Sequence, residues 1–258
     1  MELATIQKLN ALNREFYDSH AEAFADSRPR LAPGVKRILA DIPPAARVLD
    51  VGCSDGKVGR WLARNGVGVY LGMDASAGMI ARARHWTENW TLRVGEFSNA
   101  KRPIVFLQAD VLDHNWPAAL PAEPFDWILS FATFHHLPGR ETRRRVLQTL
   151  AHHLAPGGVF VMSNWQFTRS ARLLKRVANW SMIGLTENEV EPGDYLLTWE
   201  RAGKRGLRYV HLLDEAEARE LALSAGLKVV EVFESDGGTG ALAEYVTLRR
   251  IGRFALEN

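Results

Sequence analysis

The sequence predicts an α/β protein built on a doubly wound, mainly parallel sheet, and three observations predict it. From Arg47 onward, short apolar runs recur, each closed by a small or acidic residue; helix-like segments separate them; and no fixed-period repeat or low-complexity tract competes with that order. The 258 residues, 47% hydrophobic and 24% charged, have the composition of a globular protein with material for one large core.

Leu3, Ile6, Leu9, Leu12 and Phe16 stand at helical spacing, and Ser19-His-Ala-Glu22 reads as a capping box opening a second short helix that carries Phe24. Pro33 opens another helix through Val35, Ile38 and Leu39, ended by Pro43-Pro44. Strands are then predicted at Arg47 to Val51, Val69 to Met73, Ile104 to Gln108, Phe125 to Phe131 and Val159 to Ser163. Between them lie helices at Lys57 to Arg64, at Ser76 to Arg84 with Ser76 as N-cap, and at Arg140 to Leu154, stopped by Pro156-Gly157-Gly158. Glu215 to Ser224 reads as a helix ending at Gly226. Lys228 to Phe233 and Tyr245 to Arg249 read as strands too close for a parallel crossover, hence antiparallel neighbours.

This order divides the chain into an N-terminal helical cap, residues 1–45, and a main domain, residues 46–258, that holds an insertion at residues 165–213. The insertion, 49 residues long, and the stretch from His85 to Pro103 both exceed the usual loop length of such a core. The insertion begins with Arg169, Arg172, Lys175 and Arg176 interleaved with Leu173, Leu174 and Val177, a pattern that predicts an amphipathic helix with a basic face. It ends with Tyr195-Leu-Leu-Thr-Trp199 and Leu207-Arg-Tyr-Val-His-Leu212 around Gly203 and Gly206, which predict a hairpin.

Composition sets outer bounds on function. Apolar runs of about 18 residues, long enough to span a bilayer, do not occur, and the start Met-Glu-Leu-Ala-Thr lacks signal-peptide character, so a cytoplasmic protein is expected. The lone Cys53 excludes an internal disulfide and any cysteine-paired zinc site, and no His/Glu arrangement forms a metal motif, so no metal is expected. Lys and Arg number 32 against 30 Asp and Glu, so a basic surface has to come from local clustering. The clusters are Arg143-Arg-Arg145, the run from Arg169 to Arg176, and Lys204, Arg205 and Arg208. Each reads as solvated surface, or together as a set of phosphate contacts if they share a face with Tyr195, Trp199 and Tyr209.

The chemistry concentrates in Val48-Leu-Asp-Val-Gly52-Cys-Ser-Asp-Gly56, a small-residue turn between a strand and a helix N-terminus. It is not a Walker loop, because three residues separate its glycines and Val58 follows Lys57. Nor does it suit a dinucleotide, whose phosphates would meet Asp50 and Asp55, so a cationic or zwitterionic ligand fits better. Asp74, ending the second strand, is placed to accept from two ribose hydroxyls, and Asp110, ending the third, from an exocyclic adenine amine. Singly, each aspartate reads equally as a turn cap; together they line one sheet edge.

These residues, with Phe125-Asp-Trp-Ile-Leu-Ser130 and Leu154-Ala-Pro-Gly-Gly158, resemble the sequential motifs of S-adenosylmethionine-dependent methyltransferases with a Rossmann-like fold, over about residues 17–250. The resemblance implies a seven-stranded sheet with one antiparallel strand and S-adenosyl-L-methionine as cofactor. It also implies a binding set of Arg28, Asp50, Gly52, Ser54, Gly56, Asp74, Ala75, Met79, Asp110, Val111 and Ser130. Arg28 would pair with the methionine carboxylate; Met79, like Trp61, reads also as core; and Ser54 departs from the family, where a glycine usually stands.

A narrower resemblance is carried by Phe16-Tyr-Asp-Ser-His-Ala-Glu-Ala-Phe-Ala-Asp-Ser-Arg28, Phe131-Ala-Thr-Phe-His-His136, Tyr195-Leu-Leu-Thr-Trp199 and Arg208-Tyr-Val-His211. These are similar to segments of the tRNA wobble-uridine carboxyl methyltransferases, which methylate a carboxymethyl group on an anticodon uridine; some eukaryotic relatives need a small activator subunit. A carboxylate acceptor is ionised at neutral pH and needs only orientation, for which Arg28, His135, Tyr209 and His211 are the candidates. A phenol, amine or acidic carbon would instead need a base, for which His135 or His136 is placed. Transfer to tRNA, transfer to a small-molecule acceptor, and a noncatalytic cofactor- or RNA-binding subunit are the three functions this pattern allows.

Overall fold

The computed structural model describes residues 1–26, 29–94, 104–201 and 203–251, the side chains of Phe24 and residues 88–94 excepted. Its centre is a seven-stranded sheet made of β1 (Arg47–Val51), β2 (Val69–Asp74), β3 (Ile104–Gln108), β4 (Phe125–Phe131), β5 (Leu154–Trp165), β9 (Leu227–Ser235) and β10 (Ala243–Arg250), in the order β3-β2-β1-β4-β5-β10-β9. Only β10 runs against its neighbours, pairing antiparallel with β5 and with β9. Both faces are covered, which is why these strands read as near-continuous apolar runs. One face packs Leu49, Val51, Phe160 and Val246 on α5 (Arg140–His152) and α7 (Glu215–Ser224). The other packs Val48, Tyr70, Val161 and Tyr245 with residues of α2 (Pro33–Ala40), α3 (Lys57–Arg64) and α4 (Ala77–Val94).

The chain reverses its direction of winding between β1 and β4, and the crevice outside the carboxyl ends of these strands is where such sheets bind ligands. A second unit covers that edge. The strands β6 (Val177–Ala178), β7 (Asp194–Arg201) and β8 (Lys204–His211) form a small antiparallel sheet, and α1 (Leu3–Asp26) lies against it. Leu9 of α1 is buried with Trp180, Leu185, Leu196 and Tyr209. Gly206 has no side chain because a Cβ there would stand 2.8 Å from the Phe16 ring. Among the described residues no helix is long and apolar enough to cross a membrane.

Several elements differ from expectation. The N-terminal helix is continuous from Leu3 to Asp26, because Ala21 and Ala25 extend its buried face onto Met79, and Ser19 sits inside it rather than capping a new one. Helix α4 runs on to Val94, so half of the expected loop from His85 is helix; residues 95–103 lie outside the described set. The basic amphipathic helix reduces to a single turn, α6 (Ala171–Leu174). Beyond it Arg176 accepts from the Thr198 amide at 2.8 Å and Val177 pairs with Leu197, so ladder formation with β7 overrides helical periodicity. Strand β5 starts at Leu154, through the glycines expected to precede it.

Candidate active site

The loop after β1 is shaped by three hydrogen bonds. The amides of Gly52 and Cys53 both donate to the Met73 carbonyl, at 2.8 and 3.0 Å, and the Ser54 amide donates to Asp74 Oδ2 at 2.9 Å. Gly52 has φ +78°, and a Cβ there would meet Thr133 Oγ1 at 2.0 Å, so only glycine fits. Ser54 adopts the same left-handed region, φ 52°, where its hydroxyl reaches Met79 Sδ at 3.4 Å. Asp74 Oδ1 accepts from the Ser76 amide at 2.9 Å, so each carboxylate oxygen holds one loop and keeps a further lone pair for a ligand.

Around this loop opens a cavity of about 550 Å³, within the range of a nucleoside-sized site. Asp50, Gly52, Ser54, Asp74, Ala75, Met79, Asp110, Val111 and His135 all line it, nine of the sequence-selected residues. Four others among the described residues do not line it. Gly56 is buried with positive φ between Phe106 and Ala83, and Ser130 is fully buried with an unpartnered hydroxyl. Tyr209 and His211, expected to orient the acceptor, are engaged elsewhere. The Tyr209 hydroxyl donates to Asp194 at 2.7 Å, and His211 sits between Asp194 and Glu217 at 2.7 and 2.6 Å, both of them among side chains outside the cavity wall. Arg28 lies outside the described residues.

The electrostatics favour a cation at the loop. Burial pushes the Asp50 carboxyl up to about 7; a 2.6 Å hydrogen bond from Tyr70 opposes the rise and the charge of Asp74 adds to it. Asp74 is raised too, chiefly by burial, against the two amides that hold it. Asp55 is neutralised by Lys57 at 2.7 Å and Arg60 at 3.3 Å, and Asp110 accepts from Arg14 and from the Leu112 amide.

On the opposite element, His136 Nδ1 donates to the Tyr209 carbonyl at 3.1 Å, which leaves Nε2 to accept from the Tyr17 hydroxyl at 2.7 Å. His135 Nδ1 accepts from the Trp165 amide at 3.3 Å, so a neutral ring carries its proton on Nε2. Sequence reasoning missed Tyr17 and Asn13, which lie on α1 and line the cavity; Asn13 accepts from the Tyr209 amide at 2.8 Å and so fastens α1 to β8. The motif from Phe16 to Arg28 was the available signal for Tyr17, whereas Asn13 precedes it. Of the basic clusters, Arg143 is buried against Glu217 and Glu191 at 2.8 and 3.1 Å, and Arg208 turns inward to the cavity. Glu191, Asp194 and His211 also bring potential ligand atoms within 4.8 Å, with Arg143 and Glu217 bonded into the same cluster.

The sequence family described as "Methyltransferase domain" matches residues 21–232. The chain belongs to that family. As a methyltransferase it is 26% identical over 186 residues to a probable tRNA methyltransferase 9B of Mus musculus, which covers 72% of this chain but only 33% of that protein. It therefore spans about a third of that relative's length. It is 23% identical over 246 residues to the tRNA (carboxymethyluridine(34)-5-O)-methyltransferase of Schizosaccharomyces pombe, covering 88% of this chain and 92% of that one. It is also 35% identical over 160 residues to a trans-aconitate 2-methyltransferase of Methylobacterium nodulans, covering 60% of this chain and 52% of that protein. The fold of this methyltransferase is that of a Methanosarcina mazei SAM-dependent methyltransferase, with TM-score 0.62, 19% identity and coverage of 86% and 98%. It is likewise that of the magnesium protoporphyrin IX methyltransferase of Synechocystis PCC 6803, solved with bound SAH, with TM-score 0.61, 17% identity and coverage of 94% and 99%.

Proposed function

We propose that this methyltransferase uses S-adenosyl-L-methionine and transfers its methyl group to a carboxylate oxygen of a carboxymethyl-type modification on tRNA wobble uridine. The observation that carries the donor assignment is Asp74: its two oxygens are fixed by the Ser54 and Ser76 amides and retain acceptor capacity toward the cavity. A ribose presents two adjacent hydroxyls to such a pair. Asp50 places acidic character beside the turn, where a sulfonium would be favoured and a phosphate repelled.

When bound, the donor supplies an activated methyl group: the S–CH₃ bond breaks as an O–CH₃ bond forms, the bonding pair stays on sulfur, and no proton moves. The chain's task is then alignment and exclusion of water. Tyr17, His135 and Trp165 line the cavity alongside the loop and supply the orienting surface.

The acceptor assignment is supported by the names of the two tRNA-methylating relatives and by exposed basic residues of the insertion, Arg172, Lys175 and Lys204. A second reading, a small carboxylic acid as acceptor, is favoured by the match to a trans-aconitate methyltransferase. Labelled donor incubated with tRNA, followed by mass spectrometry of anticodon nucleosides, tests the choice. The expected product is an alkali-labile methyl ester on the wobble nucleoside; donor binding without incorporation into tRNA overturns the tRNA assignment.

A further inference from the structure

Arg208 stands on β8 with 5% of its surface exposed, yet it lines the cavity. Its guanidinium carbon lies 4.7 Å from the Trp165 ring centroid and 5.7 Å from that of Phe16. Its Nε is buried without a hydrogen-bond partner, and among the described residues no carboxylate pairs with it. Of the other cations lining the cavity, Arg14 is paired with Asp110 and Lys57 with Asp55, while Arg30 is solvent-exposed, which leaves Arg208 as the buried one without a counter-charge. Aromatic rings hold a guanidinium in place but do not neutralise it, and a buried arginine without a counter-charge is unfavourable. Its planar fork matches a carboxylate.

We propose that Arg208 receives the acceptor's carboxylate, so that the cavity joins an acidic pocket for the donor to a single buried cation for an anionic acceptor. The inference rests on reading the cavity as a methyl-transfer site. It makes Arg208 the residue that selects acids over neutral analogues. One carboxylate oxygen stays on the guanidinium while the other faces the methyl group. The neighbours keep this geometry: Asn13 and His136 both bond the backbone of Tyr209, next in sequence, and Gly206 leaves room for Phe16 beneath it. His135 packs near the Trp165 ring, 6.4 Å between centroids, completing the wall.

The test uses the full chain saturated with S-adenosylhomocysteine, titrated calorimetrically with 5-carboxymethyluridine, with its neutral amide 5-carbamoylmethyluridine, and with trans-aconitate. The wild-type protein is expected to bind one of the acids at least about tenfold tighter than the amide, a difference a charge-assisted bond supplies. Which acid binds tells a nucleoside acceptor from a small one. In Arg208→Met the preference for acid over amide should vanish, and in Arg208→Lys it should persist in reduced form, because the charge remains without the fork. Donor affinity, measured on the same variants, should stay within about threefold of wild type and reports that they fold. No acid preference in the wild-type protein, or an undiminished one in Arg208→Met, overturns the proposal. Failure of S-adenosylhomocysteine to bind at all would instead strike the donor reading, and is measured separately in the first titration.

Discussion

Asp74 does two jobs at once, closing the loop through two amides and facing the cavity, so its replacement should register in donor affinity before it registers in fold. Asp74→Ala removes a charged acceptor worth about 1.5–3 kcal/mol, and donor affinity measured by calorimetry should fall by about 10- to 100-fold. Unchanged affinity would refute the ribose assignment. Asp50 gives a pH signature. With its carboxyl raised to about 7, a cationic donor binds the ionised form better, so affinity should rise as pH increases through that value, with proton release seen as a dependence on buffer ionisation enthalpy. A flat profile between pH 6 and about 8 would remove Asp50 from the donor's surroundings. Ser54 occupies the left-handed region at a cost of about 1 kcal/mol relative to glycine, so Ser54→Gly should raise the denaturation midpoint by that equivalent while donor affinity holds. These aspartates and glycines were legible because strand-end position and turn chemistry are local properties. Arg208 was legible only as one charge in a surface cluster, since nothing local reveals that Phe16, nearly two hundred positions away, covers it.

At the level of elements, what ties the insertion to the core is ionic. Arg143 of α5 bonds Glu217 of α7 and Glu191 before β7, and His211 of β8 bridges Asp194 and Glu217. Burial pushes His211 down, but its hydrogen bonds to the two carboxylates prevail and its proton is held above the usual range. Burial pushes Glu217 up, and His211 and Arg143 more than reverse it. The signs then set a window. His211's contribution is complete below its ordinary pKa and fades as pH rises through its elevated one. Glu217's is complete above its ordinary pKa and fades as pH falls through its lowered one. His211→Leu leaves Asp194 and Glu217 facing each other without their bridge and should cost about 3 kcal/mol, with the alkaline loss of melting temperature flattened. A melting curve whose pH dependence matches wild type would show the bridge to be inert. The same contacts engage Tyr209 and His211 away from the cavity lining, a placement their motif did not reveal. Their motif is real, but only the register of β7 with β8 shows that Asp194 pairs with His211 and takes its ring. The basic helix failed for a related reason: pairing with β7 is a long-range event that a helical charge pattern does not contain.

Taken whole, the molecule is a parallel sheet whose ligand edge is roofed by α1 and the small sheet together. The sheet was readable from Arg47 onward because strands buried on both faces leave continuous apolar runs, and the strand too close for a crossover announced its own reversal. The roof was not, since its halves are joined by Asn13 and by packing of Leu9 on Tyr209 across the chain's full length. That roof determines where a large acceptor approaches. The insertion also carries the exposed Arg172 and Lys175 and the half-buried Arg176, which have no ion-pair partner among the described residues, whereas Arg169 and Arg205 are held by Glu234 and Glu200. If tRNA is the acceptor, the free cations are the ones that meet phosphates. Each contact releases about 0.7 to 0.9 counter-ions. Replacing Arg172, Lys175 and Arg176 together by Gln should therefore lower tRNA affinity and reduce the slope of log affinity against log salt by about 2 to 3. Donor binding and methylation of a free nucleoside acid, which need only the cavity, should be spared. An unaltered salt slope in filter-binding titrations would place the RNA on another face of the protein, and would shift weight to the small-acid reading of the acceptor.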